Sequence, residues 1–331
     1  MPQQPDIRRL TAAIEESTDF VPALRAGMAR VIVGQENLVR SLLTGLLAGG
    51  HILLEGVPGL AKTRAVKTLA ALVKADFSRI QFTPDLLPAD VVGTQVYSQR
   101  SETFNVRRGP VFAHFVLADE INRAPAKVQS ALLEAMEERQ VTIGDTTFAL
   151  PDPFLVLATQ NPVEQEGTYP LPEAQTDRFM LKVIVDYPTL DEETRIIHNH
   201  LLTERTEVAP VVDTARISRA RALLREVYTD ERVERYIAEL VHATRTPDKY
   251  GLPDLARYIA FGASPRAGIS MALAGRAVAM LERRGYVIPD DVRAVAADVL
   301  RHRISLTYEA EADNVTTEQI VAQVLAKVKV P

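Results

Sequence analysis

The chain has 331 residues, of which 47% are hydrophobic and 24% charged, and its formal net charge is -5. This length suits two domains, one of about 150–200 residues and one smaller. The absence of cysteine excludes disulfides, cysteine-ligated zinc and thiol catalysis, and the acidic balance disfavours a broad surface for nucleic-acid phosphates. Because the chain has no membrane-length apolar run and its first ten residues lack a signal-peptide pattern, we expect a cytoplasmic protein without membrane insertion.

Five short apolar runs predict the strands of a parallel sheet, because they are continuous and are separated by helical patterns. In chain order these runs are Ile52 to Leu54, Ser78 to Phe82, Phe115 to Ala118, Phe154 to Ala158 and Leu181 to Val185. Helices are predicted from Asn37 to Leu47, from Lys62 to Val73 and after Pro125. The alternation predicts an α/β fold with helices on both faces of the sheet.

Two segments interrupt this α/β pattern. Residues Thr94 to Val106 alternate β-forming residues around a polar turn, and Val141 to Leu150 places Gly144 and Asp145 between two short β-prone arms. Both segments predict β-hairpins inserted into the α/β frame.

The strand patterns stop after Pro188, and the rest of the sequence is helical. One helix is predicted to begin at Ser264 and Pro265, an N-cap and first-turn pair, and to end at Gly285. Another is predicted to open at Pro289. We therefore expect an α/β domain over residues 1–188 and a small all-α domain over residues 189–331.

The first strand runs into a glycine-containing loop that ends in Lys62 and Thr63. In a nucleoside-triphosphate site of this pattern, backbone N–H groups close on the phosphates, the lysine supplies a point charge and the hydroxyl binds Mg²⁺. The loop residues expected to bind nucleotide are Gly56, Val57, Pro58, Gly59, Leu60 and Ala61. The general pattern has glycine where Ala61 stands. Either this residue keeps a negative φ, or a left-handed alanine costs roughly 1–2 kcal/mol and weakens the site.

Polar residues at the ends of later strands supply the other half of such a site. Asp119 and Glu120 end the third strand. Such a site needs one carboxylate near the metal and one near the attacking water, and these two residues suit those roles. Asn161 follows the fourth strand, where it would orient that water or simply form a turn before Pro162. Arg178 precedes the fifth strand and is either a surface ion-pair partner or, in a ring, an arginine that reaches a neighbour's nucleotide.

Six segments together resemble the MoxR family of AAA+ ATPases. They are VIVGQE (31–36), GVPGLAKT (56–63), FVLADEINRAP (115–125), ALLEAMEERQVTI (131–143), LATQNPVEQEGTYPLPEAQTDRF (157–179) and GASPRA (262–267). The resemblance implies an AAA+ P-loop NTPase domain with a five-stranded parallel sheet and inserted β-hairpins, followed by a small all-α lid domain. Alanine is usual in this family at the position of Ala61, which implies that the loop is functional.

The resemblance also implies roles for particular residues. The implied nucleotide-binding residues are Gly34, Gln35, the loop residues 56–61, Lys62, Thr63 and Asp119, with Mg²⁺ on Thr63 and Asp119. The implied catalytic residues are Glu120, Asn161 as sensor 1, Arg178 as the arginine finger and Arg266 as sensor 2. The alternative for Arg266 is an ordinary first-turn arginine, and whether it serves its own or a neighbouring subunit stays open.

The combined expectation is a Mg²⁺-dependent ATPase that forms a homo-oligomeric, hexameric ring and remodels other proteins. The resemblance implies a chaperone-like role in the maturation of protein complexes or in metal-cofactor insertion, with a von Willebrand factor A domain protein and a client complex as partners. Two alternatives remain. A nucleic-acid motor of the MCM kind would use Arg100, Arg107 and Arg108 on the first hairpin, and a nucleotide-gated scaffold with little turnover would explain Ala61.

Overall fold

A five-stranded parallel sheet forms the centre of the α/β part of the molecule, and the computed structural model describes residues 6–162, 168–202 and 208–331. Over these residues the strands are β1 (Ile52–Glu55), β2 (Phe77–Gln81), β3 (Gly93–Ser98), β4 (Thr103–Arg108), β5 (Phe115–Asp119), β6 (Gln140–Ile143), β7 (Thr146–Ala149), β8 (Leu155–Gln160), β9 (Leu181–Ile184), β10 (Ile259–Phe261) and β11 (Ser305–Leu306). The order in the large sheet is β2-β5-β8-β1-β9, with every neighbouring pair parallel. The five predicted strands are confirmed.

Helices cover both faces of this sheet. In chain order, the helices of the described residues are α1 (Ile7–Ser17), α2 (Val21–Val31), α3 (Glu36–Ala48), α4 (Lys62–Leu72), α5 (Pro88–Val92), α6 (Ala126–Glu138), α7 (Glu173–Thr176), α8 (Leu190–Leu202), α9 (Thr214–Leu223), α10 (Glu231–Arg245), α11 (Pro265–Leu281), α12 (Pro289–Leu300), α13 (Tyr308–Ala312) and α14 (Thr317–Lys327). Successive strand residues point to opposite faces. Phe115 and Leu117 pack in the cluster that contains α2, α3 and α4, whereas Val116 and Ala118 pack with α6.

Both predicted hairpins are present as separate antiparallel pairs. In the first, β3 pairs with β4, and the exposed rings of Tyr97 and Phe104 lie opposite each other with centroids 5.2 Å apart. In the second, β6 pairs with β7 around Gly144, which has a φ of 61°. The tip of the second hairpin lies against the first, since a Cβ on Gly144 would come within 2.1 Å of the Gln95 side chain. The two insertions are therefore in contact with each other.

The C-terminal part is a helical lid that shares its core with one face of the sheet. Helix α11 packs against α3 and α12, and buried residues from these helices belong to the same apolar cluster as Ile52 and Leu54 of β1. The lid also contains a short antiparallel ladder, β10 with β11, that the helical pattern does not predict. These strands have three and two residues, and segments so short carry no readable periodicity.

The prediction that the long lid helix ends at Gly285 is wrong. Helix α11 ends at Leu281, and Arg283 takes the left-handed conformation with a φ of 57°. Gly285 instead lies against α1, where its N–H donates to the hydroxyl of Thr11 at 3.2 Å. A Cβ on Gly285 would come within 2.8 Å of the Thr11 backbone nitrogen. The glycine is needed for this close approach rather than as a helix cap.

Candidate functional site

The loop of residues 56–61, here called the phosphate loop, connects the carboxyl end of β1 to the start of α4. A Cβ on Gly56 would lie 2.6 Å from the Val185 carbonyl oxygen, so only glycine fits there. Gly59 has a φ of 90°, which favours glycine, and a Cβ there would meet no atom within 4 Å. Leu60 is buried and Val57 packs against the core, whereas Pro58 is exposed. Apolar side chains anchor the loop, and its glycine-rich side is open.

Ala61 takes the left-handed conformation, with a φ of 56° and a ψ of 15°, immediately before α4. Of the two alternatives stated for this position, a negative φ is therefore wrong. Left-handed backbone costs an L-residue about 1–2 kcal/mol, because Cβ approaches the following carbonyl oxygen. The loop thus holds a strained residue immediately before the first residue of α4.

We expect Ala61→Gly to raise the free energy of unfolding by up to about 1 kcal/mol, because relief of the left-handed strain exceeds the extra unfolded-state entropy of glycine. Urea unfolding measures this change. The matched control is Ala12→Gly, at an exposed position in the middle of α1, where glycine should cost about 1 kcal/mol. If both variants lose stability equally, Ala61 carries no strain.

Lys62 points back into its own loop. Its ammonium group donates to the carbonyl oxygen of Gly56. Burial lowers the pKa of Lys62, and the carboxylates of Asp119, Glu120 and Glu55 act in the opposite direction. The lysine charge therefore lies among the acids that the sequence analysis assigned to the same site. Thr63, half-buried, is the next residue of α4.

Asp119 ends β5 and is held by two neighbouring strands. Its Oδ1 accepts from the Thr159 hydroxyl of β8 at 2.6 Å, and its Oδ2 accepts from the Arg79 guanidinium of β2 at 2.6 Å. Sequence reasoning missed both partners. The sheet order explains the contacts, because β5 lies between β2 and β8, and this order is not readable from the strands alone.

Glu120 has a φ of 57°, which turns the chain sharply after β5. Its backbone N–H donates to the same Thr159 hydroxyl at 2.8 Å. Its carboxylate Oε2 accepts from Gln81 Nε2 at 2.8 Å and from Arg123 Nε at 3.1 Å. Gln81 and Arg123 were also missed by sequence reasoning, although Gln81 ends a predicted strand. The two polar side chains hold the Glu120 carboxylate in one orientation.

Asn161 and the loop that contains Gly34 and Gln35 flank the phosphate loop. Asn161 is buried directly after β8, whose Gln160 carbonyl accepts from the Gly56 N–H at 3.3 Å. Gln35 Nε2 donates to the Asp186 carbonyl at 2.9 Å, next to the Val185 carbonyl that lies against Gly56. The predicted nucleotide-binding residues therefore gather at one place, the carboxyl edge of the sheet.

Arg178 and Arg266 lie at the opposite edge of the sheet. Arg178 stands three residues before Leu181, which pairs with Ile52 at the amino end of β1. Strand β1 has four residues and rises about 3.3 Å per residue, so roughly 13 Å of sheet separates this edge from the phosphate loop. The structure brings the two arginines together, but it does not bring them to the phosphate loop of their own chain.

One carboxylate joins the two arginines. Glu137, in the last turn of α6, accepts from Arg178 Nη1 at 3.1 Å through one oxygen and from Arg266 Nη2 at 3.3 Å through the other. Arg178 Nη1 also donates to the Leu133 carbonyl at 3.0 Å. A cavity of about 310 Å³ is lined by both arginines and Glu137, with His51 among its other walls.

The segment that carries Arg178 is fixed from the lid by Arg303. This buried arginine donates to Asp177 Oδ1 at 2.6 Å, and to the carbonyls of Phe179 at 2.7 Å and Met180 at 3.2 Å. Nearby, burial lowers the pKa of His51 to about 3, so its ring is neutral and accepts from the Val156 N–H at 2.9 Å. Sequence reasoning assigned no role to Arg303, Asp177 or Glu137, although Asp177 and Glu137 lie within two of the segments that carry the family resemblance.

The donor set at the carboxyl edge suits a cation that arrives with phosphate ligands. Among the described residues, no group of three or more His, Cys, Asp or Glu side chains could hold a metal. Mg²⁺ is usually held by one or two protein oxygens together with phosphates and water, and the Thr63 hydroxyl and the Asp119 carboxylate can supply those protein oxygens.

Across the described ranges 6–162, 168–202 and 208–331, none of the helices has the length and apolar character needed to cross a membrane.

Comparisons with known proteins agree with this architecture. The family model described as ATPase family associated with various cellular activities (AAA) matches residues 51–181, and the model described as AAA lid domain matches residues 254–324. A crystal structure of a protein from Cytophaga hutchinsonii aligns with a TM-score of 0.90 at 50% identity, covering 98% of this chain and 99% of that one. The expected AAA+ fold with its helical lid is confirmed.

Several curated relatives carry the family name. Chaperone MoxR1 of Mycobacterium tuberculosis is 51% identical over 302 residues, which are 91% of this chain and 80% of that protein. Protein MoxR of Methylorubrum extorquens is 31% identical over 330 residues, covering 94% of this chain and 95% of the relative. The chain belongs to the MoxR family of AAA+ ATPases.

Proposed function

We propose that this protein hydrolyses ATP at sites that are each completed by two protomers of a ring. The observation that supports this most strongly is the separation of the site residues across the sheet. The phosphate loop, Asp119 and Glu120 lie at the carboxyl edge, whereas Arg178 and Arg266 lie at the amino edge. When protomers pack around a ring so that the carboxyl edge of one sheet faces the amino edge of the next, these two groups of residues meet at one nucleotide. Both arginines then act in trans.

In this proposal each residue at the site between two protomers has one role. Lys62 leaves the Gly56 carbonyl and neutralises the β- and γ-phosphates, while the N–H groups of the phosphate loop surround them. Glu120 polarises the attacking water and Asn161 positions it. Arg178 and Arg266 from the adjacent protomer stabilise the negative charge on the transferring phosphoryl. Gly34 and Gln35 contact the rest of the nucleotide, and Gln35 is held near the phosphate loop by its hydrogen bond to the Asp186 carbonyl.

The proposed cofactors are ATP and Mg²⁺, with Thr63 and Asp119 as the protein's metal ligands. When bound, the cation neutralises phosphate charge. Thr159 and Arg79 hold the Asp119 carboxylate in a fixed orientation, so one of its oxygens is oriented before ligand binding. We also propose that the α/β domain ends at residue 188, that the lid domain begins at residue 189, and that the lid closes over the nucleotide.

We expect the hydrolysis rate per protomer to fall steeply when the protein is diluted, because a site shared by two chains is lost on dissociation. Phosphate release measured over a dilution series, with light scattering at the same concentrations, checks this. Assembly and turnover should decline together. A rate per protomer that stays constant when light scattering shows monomers would contradict the shared site.

We further propose a chaperone-like role in a cytoplasmic, hexameric form that matures client protein complexes or inserts metal cofactors, with a von Willebrand factor A domain protein as partner. The support is that a relative at 51% identity is named a chaperone.

A nucleic-acid motor would use the basic residues of the first hairpin. One of them, Arg108, stacks over the rings of Phe112 and Phe148 at 5.1 and 5.0 Å. This stacking engages Arg108 within the protein and favours protein remodelling.

A nucleotide-gated scaffold with little turnover is the second candidate. Two observations favour it: the strained Ala61 in the phosphate loop, and the Glu120 carboxylate already bonded to Gln81 and Arg123. Tight ATP binding together with undetectable phosphate release from the assembled protein would select this candidate.

A further inference from the structure

We propose that Glu137 is a positioning residue that holds Arg178 and Arg266 together so that both reach one phosphoryl group on the adjacent protomer. This inference rests on the function proposed above and names a residue of the same site. Glu137 does not touch nucleotide in this proposal. It acts through the two arginines.

The geometry of the carboxylate is the first argument. Each oxygen of Glu137 serves one guanidinium, Oε2 that of Arg178 at 3.1 Å and Oε1 that of Arg266 at 3.3 Å. One carboxylate group, with two oxygens on the same carbon atom, therefore bridges both guanidinium groups in this structure. Two oxygens of a terminal phosphoryl group are separated by a similar distance. The spacing that Glu137 imposes is one at which both guanidinium groups can bind such a group.

Charge is the second argument. Arg178 and Arg266 come from different parts of the chain, the segment before β9 and the start of α11, and two guanidinium groups so close repel each other. Asp177 is largely engaged by Arg303 at 2.6 Å and lies 3.9 Å from Arg266. Among the described residues, Glu137 is the carboxylate that pairs with both arginines. Without its charge, the two cations are expected to move apart.

The location of Glu137 argues against the view that this residue merely stabilises α6. A carboxylate in the last turn of a helix lies at the negative end of the helix dipole, which is unfavourable. Its side chain is 42% exposed, and ion pairs at such exposure contribute little to stability. What the ion pairs do determine is where the two guanidinium groups lie.

The test is Glu137→Gln in the full-length protein, because an amide keeps the size of the side chain but cannot neutralise two cations. We expect kcat for ATP to fall by about 10- to 100-fold, less than the ~10³–10⁵ that an arginine finger can contribute. The KM for ATP should change less than about twofold, since the phosphate loop of each chain is untouched. The matched control is Glu138→Gln, the same change at the neighbouring exposed residue of α6.

Two further measurements separate positioning from a general structural defect. Excess Lys62→Ala subunits, whose arginines are intact, should restore turnover by the phosphate loops of Glu137→Gln subunits. In an Arg178→Ala, Arg266→Ala background, Glu137→Gln should have no further effect on kcat. An unchanged kcat in Glu137→Gln, an equal loss in Glu138→Gln, or a further loss in the double-arginine background would each overturn the inference. Failure of the wild type to hydrolyse ATP would instead refute the proposed function.

Discussion

Glu120→Gln is expected to bind ATP as the wild type does and to hydrolyse it about 10²–10⁴-fold more slowly, which is the usual contribution of a positioned general base. Glutamine keeps the side-chain oxygen that accepts from Gln81 and Arg123, so the turn after β5 should keep its shape. The phosphate loop and Lys62, which carry binding, are unchanged. Steady-state phosphate release and equilibrium binding of a fluorescent ATP analogue measure the two properties separately.

The Glu138→Gln variant serves as the control, since it makes the same chemical change on an exposed carboxylate of α6. It should hydrolyse ATP at the wild-type rate. Wild-type turnover in Glu120→Gln would remove the role assigned to Glu120. Loss of ATP binding in that variant would show that the substitution damages the phosphate loop rather than the chemical step.

Arg178→Ala is expected to reduce hydrolysis by about 10³–10⁵-fold, and to regain part of this activity when mixed with Lys62→Ala subunits. The reason is that Arg178 and the phosphate loop lie at opposite edges of the sheet. In a mixed ring, an intact phosphate loop from an Arg178→Ala subunit meets an intact Arg178 from a Lys62→Ala subunit. Phosphate release from each variant alone, and from mixtures at several ratios, measures the effect.

Arg100→Ala, at an exposed position in the turn of the first hairpin, is the matched control and should keep wild-type hydrolysis. Full activity in Arg178→Ala alone would remove its catalytic assignment. Light scattering must show that the mixed variants assemble. If assembled mixtures regain no activity, Arg178 serves its own chain and the proposal that two protomers complete each site is wrong.

The sequence predicted the elements whose signal lies within one segment. The buried strands, both hairpins and the phosphate loop follow from local patterns of apolar residues, glycine and turn residues, and their positions agree with the structure within one or two residues. Asp119 and Asn161 could be assigned because parallel strands place their carboxyl ends at one edge.

The remainder depends on contacts between distant segments. The partners of Asp119 follow from the strand order, and the salt bridges of Glu137 join residues 41 and 129 positions apart, so no local pattern reports them. The backbone angle of Ala61 could not be read either, because alanine takes left-handed φ only where the surrounding structure imposes it. Gly285 was misread as a helix end for a related reason, since its contact with Thr11 spans 274 residues.

Arg303 has a consequence for how neighbouring subunits communicate. This lid residue grips Asp177 and the carbonyls of Phe179 and Met180, so the backbone on both sides of Arg178 is tied to the lid of the same chain. In a ring, any rotation of one lid is then transmitted to the nucleotide of the following subunit. Each lid would then influence hydrolysis at the neighbouring site as well as close over the nucleotide of its own chain.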